Sequence, residues 1–175
     1  ISRCISLLQH ANARDAWLIT INHTRDSMLV YRLDSLGVRF DHATPSGVRF
    51  LSKQKHAVSI AKSSPDSRWL AVADSIGVRL FSFGRATGVP TFRYTLRVPA
   101  TAGTTGGSLH AASCAFSADN SQLYVGRIDD RDTISHLPAF YQFNLRHPTP
   151  YQCKPPAIWS EISRASEAYM ICSSA

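Results

Sequence analysis

No two cysteines in this chain stand close enough to act together. Cys4, Cys114, Cys153 and Cys172 are widely and irregularly spaced, with no C-x-x-C pair, so neither a zinc site nor a disulfide framework is indicated. We expect mostly buried thiols in a reducing compartment. Long apolar runs are missing too. Nothing approaches the roughly 18 consecutive apolar residues of a membrane-spanning helix. The first residues do not follow the basic-then-apolar order of a secretory signal, and the chain opens on Ile1 where a natural start would carry Met. We therefore read it as part of a longer protein. Without a secretory signal, the acceptor-like triplet Asn22-His23-Thr24 is discounted as a glycosylation site.

Catalytic signatures are equally scarce. The loop "TAGTTGG" at 101–107 is rich in glycine but has neither the G-K-[ST] of a phosphate loop nor the G-x-G-x-x-G of a dinucleotide site. Asp129, Asp130 and Asp132 resemble the start of a calcium loop, yet its central Gly and closing Glu are missing. They read as a solvated hairpin turn. Seven histidines are scattered without metal-ligand spacing, and no G-x-S-x-G elbow occurs. The chain reads as a non-enzyme that needs no cofactor.

Acidic residues are rare in the middle of the chain. Between 42 and 118 there are nine basic side chains, Arg49, Lys53, Lys55, Lys62, Arg68, Arg79, Arg85, Arg93 and Arg97, against Asp66 and Asp74 alone. The remainder carries ten of each sign, so the whole net charge of +7 belongs to this stretch. A one-sided positive field favours a polyanion or an acidic partner surface.

What the chain has in quantity is apolar residues, 44% against 18% charged, which is the balance of a globular protein. They alternate. In "SSPDSRWLAVADSIGVRLFSF", residues 63–83, a Ser-Pro-Asp turn precedes two runs with the period of two that strands require. Pro65 presets φ and Asp66 can cap the amides that follow. With "HAVSIAKS" (56–63) upstream and "TFRYTLRV" (91–98) downstream, four consecutive antiparallel strands are predicted. In the last of them, Arg93 and Arg97 share one face and Phe92 and Tyr94 the other.

The phrase returns. "HAASCAFSADNSQLYVG" (110–126) repeats it 53 residues later and leads into "AFYQFNL" (139–145), while "AWLITINHTRDSMLVYRL" (16–33) places Trp17-Leu18 at 52 residues before Trp69-Leu70. Tandem four-stranded units signal a β-propeller of WD40 type. We therefore expect an all-β fold of about three blades, roughly 1–50, 51–99 and 109–146, within a larger propeller, since closure takes about four to eight. Residues 147–175 read as a Pro-rich connection followed by a further element, helix or strand, whose continuity with the rest stays open. Asp74, and Asp26 in the first copy, are placed in the turn between second and third strands. In such blades an Asp there often accepts a hydrogen bond from a His before the first strand, which makes His56 its structural partner and not a catalyst.

The succession "MLVYRL" (28–33), "SSPDSRWLAVADSIGVRLFSF" and "CAFSADNSQLYVG" (114–126) resembles the second propeller of the cirhin family, over about residues 16–145. Ser67 departs from it where Gly is common, and "RIDDRDTISHLP" (127–138) lengthens one hairpin. The resemblance implies a scaffold subunit of the UtpA subcomplex in the nucleolar small-subunit processome. It would bind partner propellers and the 5′ external transcribed spacer of pre-ribosomal RNA during small-subunit maturation. The basic middle fits that implication, with Lys53, Lys55, Arg93 and Arg97 as contacts that would grip a phosphate backbone without reading sequence. The alternative is a WD40 adaptor outside ribosome assembly that takes acidic peptides on the same surface.

Overall fold

The computed structural model describes residues 4–22, 26–50, 60–74, 77–97, 109–129, 139–146 and 152–153. Every regular element among them is a strand, and the strands form three antiparallel sheets of four. The first holds β1 (Ile5–Gln9), β2 (Ala16–Ile21), β3 (Ser27–Asp34) and β4 (Gly37–Pro45) in chain order. The second holds β5 (Ile60–Ser63), β6 (Trp69–Ala73), β7 (Gly77–Gly84) and β8 (Val89–Arg97). The third holds β9 (Leu109–Phe116), β10 (Gln122–Asp129), β11 (Ala139–Asn144) and β12 (Gln152–Cys153). β12 falls past 146, inside the Pro-rich stretch, and is an edge strand, the place in a sheet where flanking proline is tolerated.

The turn that opens each sheet is built the same way three times. Ser64 N–H donates to the Trp69 carbonyl at 2.9 Å, Trp69 N–H returns a bond to Ser64 Oγ at 2.9 Å, and Arg68 N–H is capped by Asp66 Oδ1 at 3.1 Å. In the third sheet Ser117, Asp119, Ser121 and Gln122 repeat these bonds. In the first, Asn12 takes the Asp66 role by accepting from Arg14 N–H and Asp15 N–H, while His10 and Asp15 close the backbone. The fourth residue of each turn, counted from Ser64 and its counterparts His10 and Ser117, is left-handed: Ala13, Ser67 and Asn120 have φ of 58°, 55° and 59°. Ser67 therefore stands where glycine is common because its Oγ has work to do. It accepts the Gln9 N–H of the neighbouring sheet at 2.9 Å.

Register corrects the repeat length for the first copy. Ala16 pairs with Gln9 as Leu70 pairs with Ser63 and Leu123 with Phe116. The structural counterpart of Leu70 is thus Ala16, 54 residues earlier, and Trp17 matches Ala71 instead of Trp69. A two-residue slip keeps side chains on the same face, so hydrophobic pattern alone could not reveal it.

Two clusters hold the sheets together. Leu70, Val72, Phe81 and Phe83 of the second sheet meet Trp17, Ile19, Ile21, Met28 and Val30 of the first. On the opposite side, Ala71, Ala73, Val78, Leu80 and Leu96 meet Cys114, Leu123, Val125 and Phe143 of the third. The second sheet is therefore covered on both faces, which is why β6 is buried at four of its five positions. Each large side chain so buried contributes about 1.5–3 kcal/mol. Phe50, beyond β4, crosses to the second sheet and stacks 6.0 Å from Phe81. Trp17 adds a polar tie, donating Nε1–H to the Arg85 carbonyl at 2.8 Å. Its ring lies so near Gly88 (φ +73°) that a Cβ there would come within 3.0 Å of it.

Candidate functional site

Asp74 occupies the turn between β6 and β7, where the sequence placed it. Its N–H donates to the Gly77 carbonyl at 2.8 Å, and Oδ1 accepts the Gly77 N–H at 3.2 Å. Gly77 has φ of +152°, and a Cβ on it would run into the Leu96 carbonyl oxygen, so the tight turn needs glycine. The expected partner His56 lies outside the described residues. Within them, Asp74 Oδ2 accepts from Arg79 Nε at 3.1 Å, and Arg79 Nη1 donates onward to Thr95 Oγ1 at 2.7 Å. A carboxylate held this way clamps the hairpin to its neighbouring strand.

In the first sheet the corresponding residue is Asn22 and not Asp26. Asn22 N–H donates to the Ser27 carbonyl, and its Oδ1 accepts from Asp26 N–H and Ser27 N–H. That turn is two residues longer than its counterpart, which displaces the acidic residue from the capping place. Asp26 instead accepts Asn22 Nδ2–H and offers its carbonyl to Ser46.

The basic residues of the middle stretch divide into structural and exposed groups. Arg79 is nearly buried on Asp74, and Arg85 reaches across the seam to the Gln9 and His10 carbonyls at 3.3 and 3.4 Å. Arg68 stands 4.0 Å from Asp66. Arg49, Lys62, Arg93 and Arg97 are exposed and pair with no carboxylate among the described residues. Lys53 and Lys55 lie outside those residues.

Arg93 and Arg97 both project from β8, the outer strand of the second sheet, but they do not share a face. The β7–β8 register shifts between Leu80 and Phe81: Leu80 faces Tyr94, Phe81 faces Phe92, and Arg93 is the extra residue of a bulge. A bulge reverses the alternation beyond it. Phe92 accordingly packs with the first sheet and Tyr94 with the third. Arg97, opposite Gly77, lies on the Arg79 side, whereas Arg93 donates Nε–H to Ser82 Oγ at 2.9 Å on the other. Neither Arg79's role nor the bulge was anticipated. The first had a readable signal, a charged residue at an inward position of an apolar strand with a carboxylate five residues before it.

The buried thiols of Cys4 and Cys114 are held in their unreactive form. Burial pushes Cys4 and Cys114 up to about 12, only partly opposed at Cys114 by the charge of Lys62. A thiolate is the nucleophilic form, so neither reacts readily near neutrality. Among the described residues no group of three or more His, Cys, Asp or Glu is placed to hold a metal ion.

No protein-family model and no curated protein sequence matches this chain. Solved structures do. A protein from Lactobacillus plantarum superimposes with a TM-score of 0.57 at 14% identity, over 86% of this chain and 40% of its own. A protein described as a candidate 6-phosphogluconolactonase from Bacteroides fragilis superimposes with a TM-score of 0.53 at 15% identity, over 85% of this chain and 37% of its own. Likeness at this identity carries the architecture alone. The described residues form three blades of a β-propeller. The chain spans about two fifths of the length of the propellers it matches. The strands β1, β5 and β9 pack side by side, which makes them the inner strands, and β4 and β8 the outer ones. Arg93 and Arg97 therefore stand on the propeller's outer rim, while Lys62 stands on an inner strand.

Proposed function

We propose that this chain is a non-catalytic propeller module that binds a polyanion, as a scaffold subunit of the nucleolar small-subunit processome. Pre-ribosomal RNA of the 5′ external transcribed spacer and UtpA-type propeller proteins are its partners in this reading. One observation carries it. The charge excess of the middle stretch reaches the surface as exposed cations, Arg93 and Arg97 on the outer rim among them, that no described carboxylate neutralises. Cations of this kind suit phosphates, which take up charge without demanding a shaped pocket.

The test is a filter-binding titration of purified protein against spacer RNA at several salt concentrations. The logarithm of the affinity should fall linearly with the logarithm of salt, by close to one unit per phosphate contact. Acidic peptide run in parallel separates the alternative. Tighter binding to the peptide than to the RNA would replace this reading with that of an adaptor for acidic proteins outside ribosome assembly.

A further inference from the structure

Each blade is an antiparallel meander that starts at its inner strand. The turns joining its first two and its last two strands therefore emerge at one end. Bonds across the seams bring these turns onto one face of the propeller. Gln9 N–H reaches Ser67 Oγ at 2.9 Å, and Asp66 N–H reaches Asn120 Oδ1 at 3.3 Å. Arginines gather there. Arg14 and Arg68 hold the same place in the first two turns, each just after the left-handed residue, Ala13 or Ser67. Arg85 joins them from the β7–β8 turn, bonded to the His10 carbonyl at 3.4 Å. Arg146 stands at the third blade's turn, where Nη2 donates to Asp119 at 3.1 Å.

The carboxylates of this end do not cancel those charges at its surface. Asp66 accepts from Ser64 Oγ and Arg68 N–H, and Asp119 from Ser117 Oγ and Ser121 N–H. Both acids are thereby drawn into their own turns, and the guanidiniums lie outside them. The side chains of Arg68 and Arg146 are each 73% exposed, against 33% for Asp66 and 57% for Asp119. Asp15 is covered further, at 15%, by Arg32. Arg14 is exposed with no ion pair among the described residues. Arg85 meets only neutral acceptors, the Gln9 and His10 carbonyls and Gln9 Oε1. An anion approaching this end meets cations before carboxylates.

We infer that this turn-bearing face is a second phosphate-binding surface, separate from the outer rim. An RNA backbone crosses it from blade to blade, past Arg14, Arg85, Arg68 and Arg146. The inference rests on the reading of the module as a binder of RNA, and it adds a face that the rim arginines do not reach. A guanidinium has five donors, and Arg146 commits only Nη2 to Asp119, so both it and Arg68 keep donors for phosphate oxygens. RNA fits better than an acidic peptide. Between the arginines stand Ala11, Pro65 and Ala118, exposed and small, which offer a peptide no apolar pocket for an anchor residue. A phosphate backbone needs none.

The test compares the full-length protein with its Arg14→Gln, Arg68→Gln, Arg146→Gln triple variant, each titrated with an unstructured oligouridylate at several salt concentrations. Circular dichroism is the folding control. At roughly 0.7 units of salt slope per lost contact on a single strand, the variant's slope should be smaller by about two units. Its affinity at low salt should be lower by about tenfold or more. Wild-type slope and affinity in the variant would overturn this inference and leave the RNA reading standing. Absence of RNA binding by the wild-type protein would overturn both. A loss confined to oligoglutamate, run in parallel, would assign the face to an acidic protein and overturn the inference as well. Should the variant fail to fold, phenylglyoxal modification of the unaltered protein decides. With oligouridylate bound, Arg14, Arg68 and Arg146 should be modified several-fold more slowly than without it, and equal rates would overturn the inference.

Discussion

Arg79 and Asp74 face each other across the β6–β7 hairpin, with Nε 3.1 Å from Oδ2 and side chains 11% and 0% exposed. The pair joins the turn to β8 through Thr95. Removing one member leaves the other charged and largely out of water. Arg79→Met should therefore lower stability by about 3–5 kcal/mol in urea unfolding, the range for breaking a buried pair. Arg79→Lys should recover only part of this, since an ammonium cannot reach Asp74 and Thr95 with the same fork. A loss under about 1 kcal/mol for Arg79→Met would mean that the pair behaves as a solvated surface bridge.

Left-handed residues of the three equivalent turns give a second prediction. Ala13 adopts φ of 58° with nothing on its side chain to offset the strain. Ala13→Gly should raise stability by up to about 1 kcal/mol, since the αL conformation disfavours a Cβ. Ser67→Gly relieves the same strain but removes the Oγ that accepts the Gln9 N–H. Its net effect should be near zero or unfavourable. Thermal unfolding of the two variants side by side checks the contrast, and equal gains would show that the Ser67–Gln9 bond contributes nothing.

How far the sequence could be read follows from what each feature depends on. The Ser-Pro-Asp turn was legible because its bonds run between near neighbours, and the strands because period two is written in the apolar residues. The slip between Trp17 and Trp69 was not, since both alignments bury the same face. Nor was the bulge at Arg93. One extra residue in β8 is set by pairing with β7, and nothing in "TFRYTLR" marks where alternation reverses. Asn22 in place of Asp26 escaped for a similar reason, because turn length, not residue type, decides which side chain caps the hairpin. Phe50 sits beyond any strand, and its burial depends on the meeting of two blades.

Asp119 supplies a prediction in pH. The hydroxyls of Ser117 and Ser121 and the Ser121 N–H hold its carboxyl down to about 2, with a smaller contribution from Arg146. A carboxyl depressed in the folded state stabilises above its unfolded value of 3.8, and that contribution is lost as pH falls toward about 2. Carbon-detected titration of the Asp119 carboxyl should show a midpoint near 2. Ser117→Ala should raise the midpoint further than Arg146→Ala does. An unshifted midpoint in the wild type would mean that the turn's hydrogen bonds are not held in solution.

The bulge bears directly on RNA binding. Were Arg93 and Arg97 on one face, a single stretch of phosphate backbone could meet both, and losing one would change what the other contributes. On opposite faces of β8 they address different approaches to the rim. Arg93→Glu and Arg97→Glu should each weaken RNA binding and flatten its salt dependence, while circular dichroism stays unchanged because both side chains are exposed. The double variant should lose the sum of the two single losses, with a coupling energy below about 0.5 kcal/mol, as for independent sites. Strong coupling would place both arginines on one phosphate run and contradict their separation by the bulge. Wild-type affinity in the double variant at every salt concentration would remove both residues from the binding surface. The exposed Arg49 and Lys62, with Lys53 and Lys55, would then be the next positions to reverse, and unchanged binding there would leave protein–protein scaffolding as the function of the module.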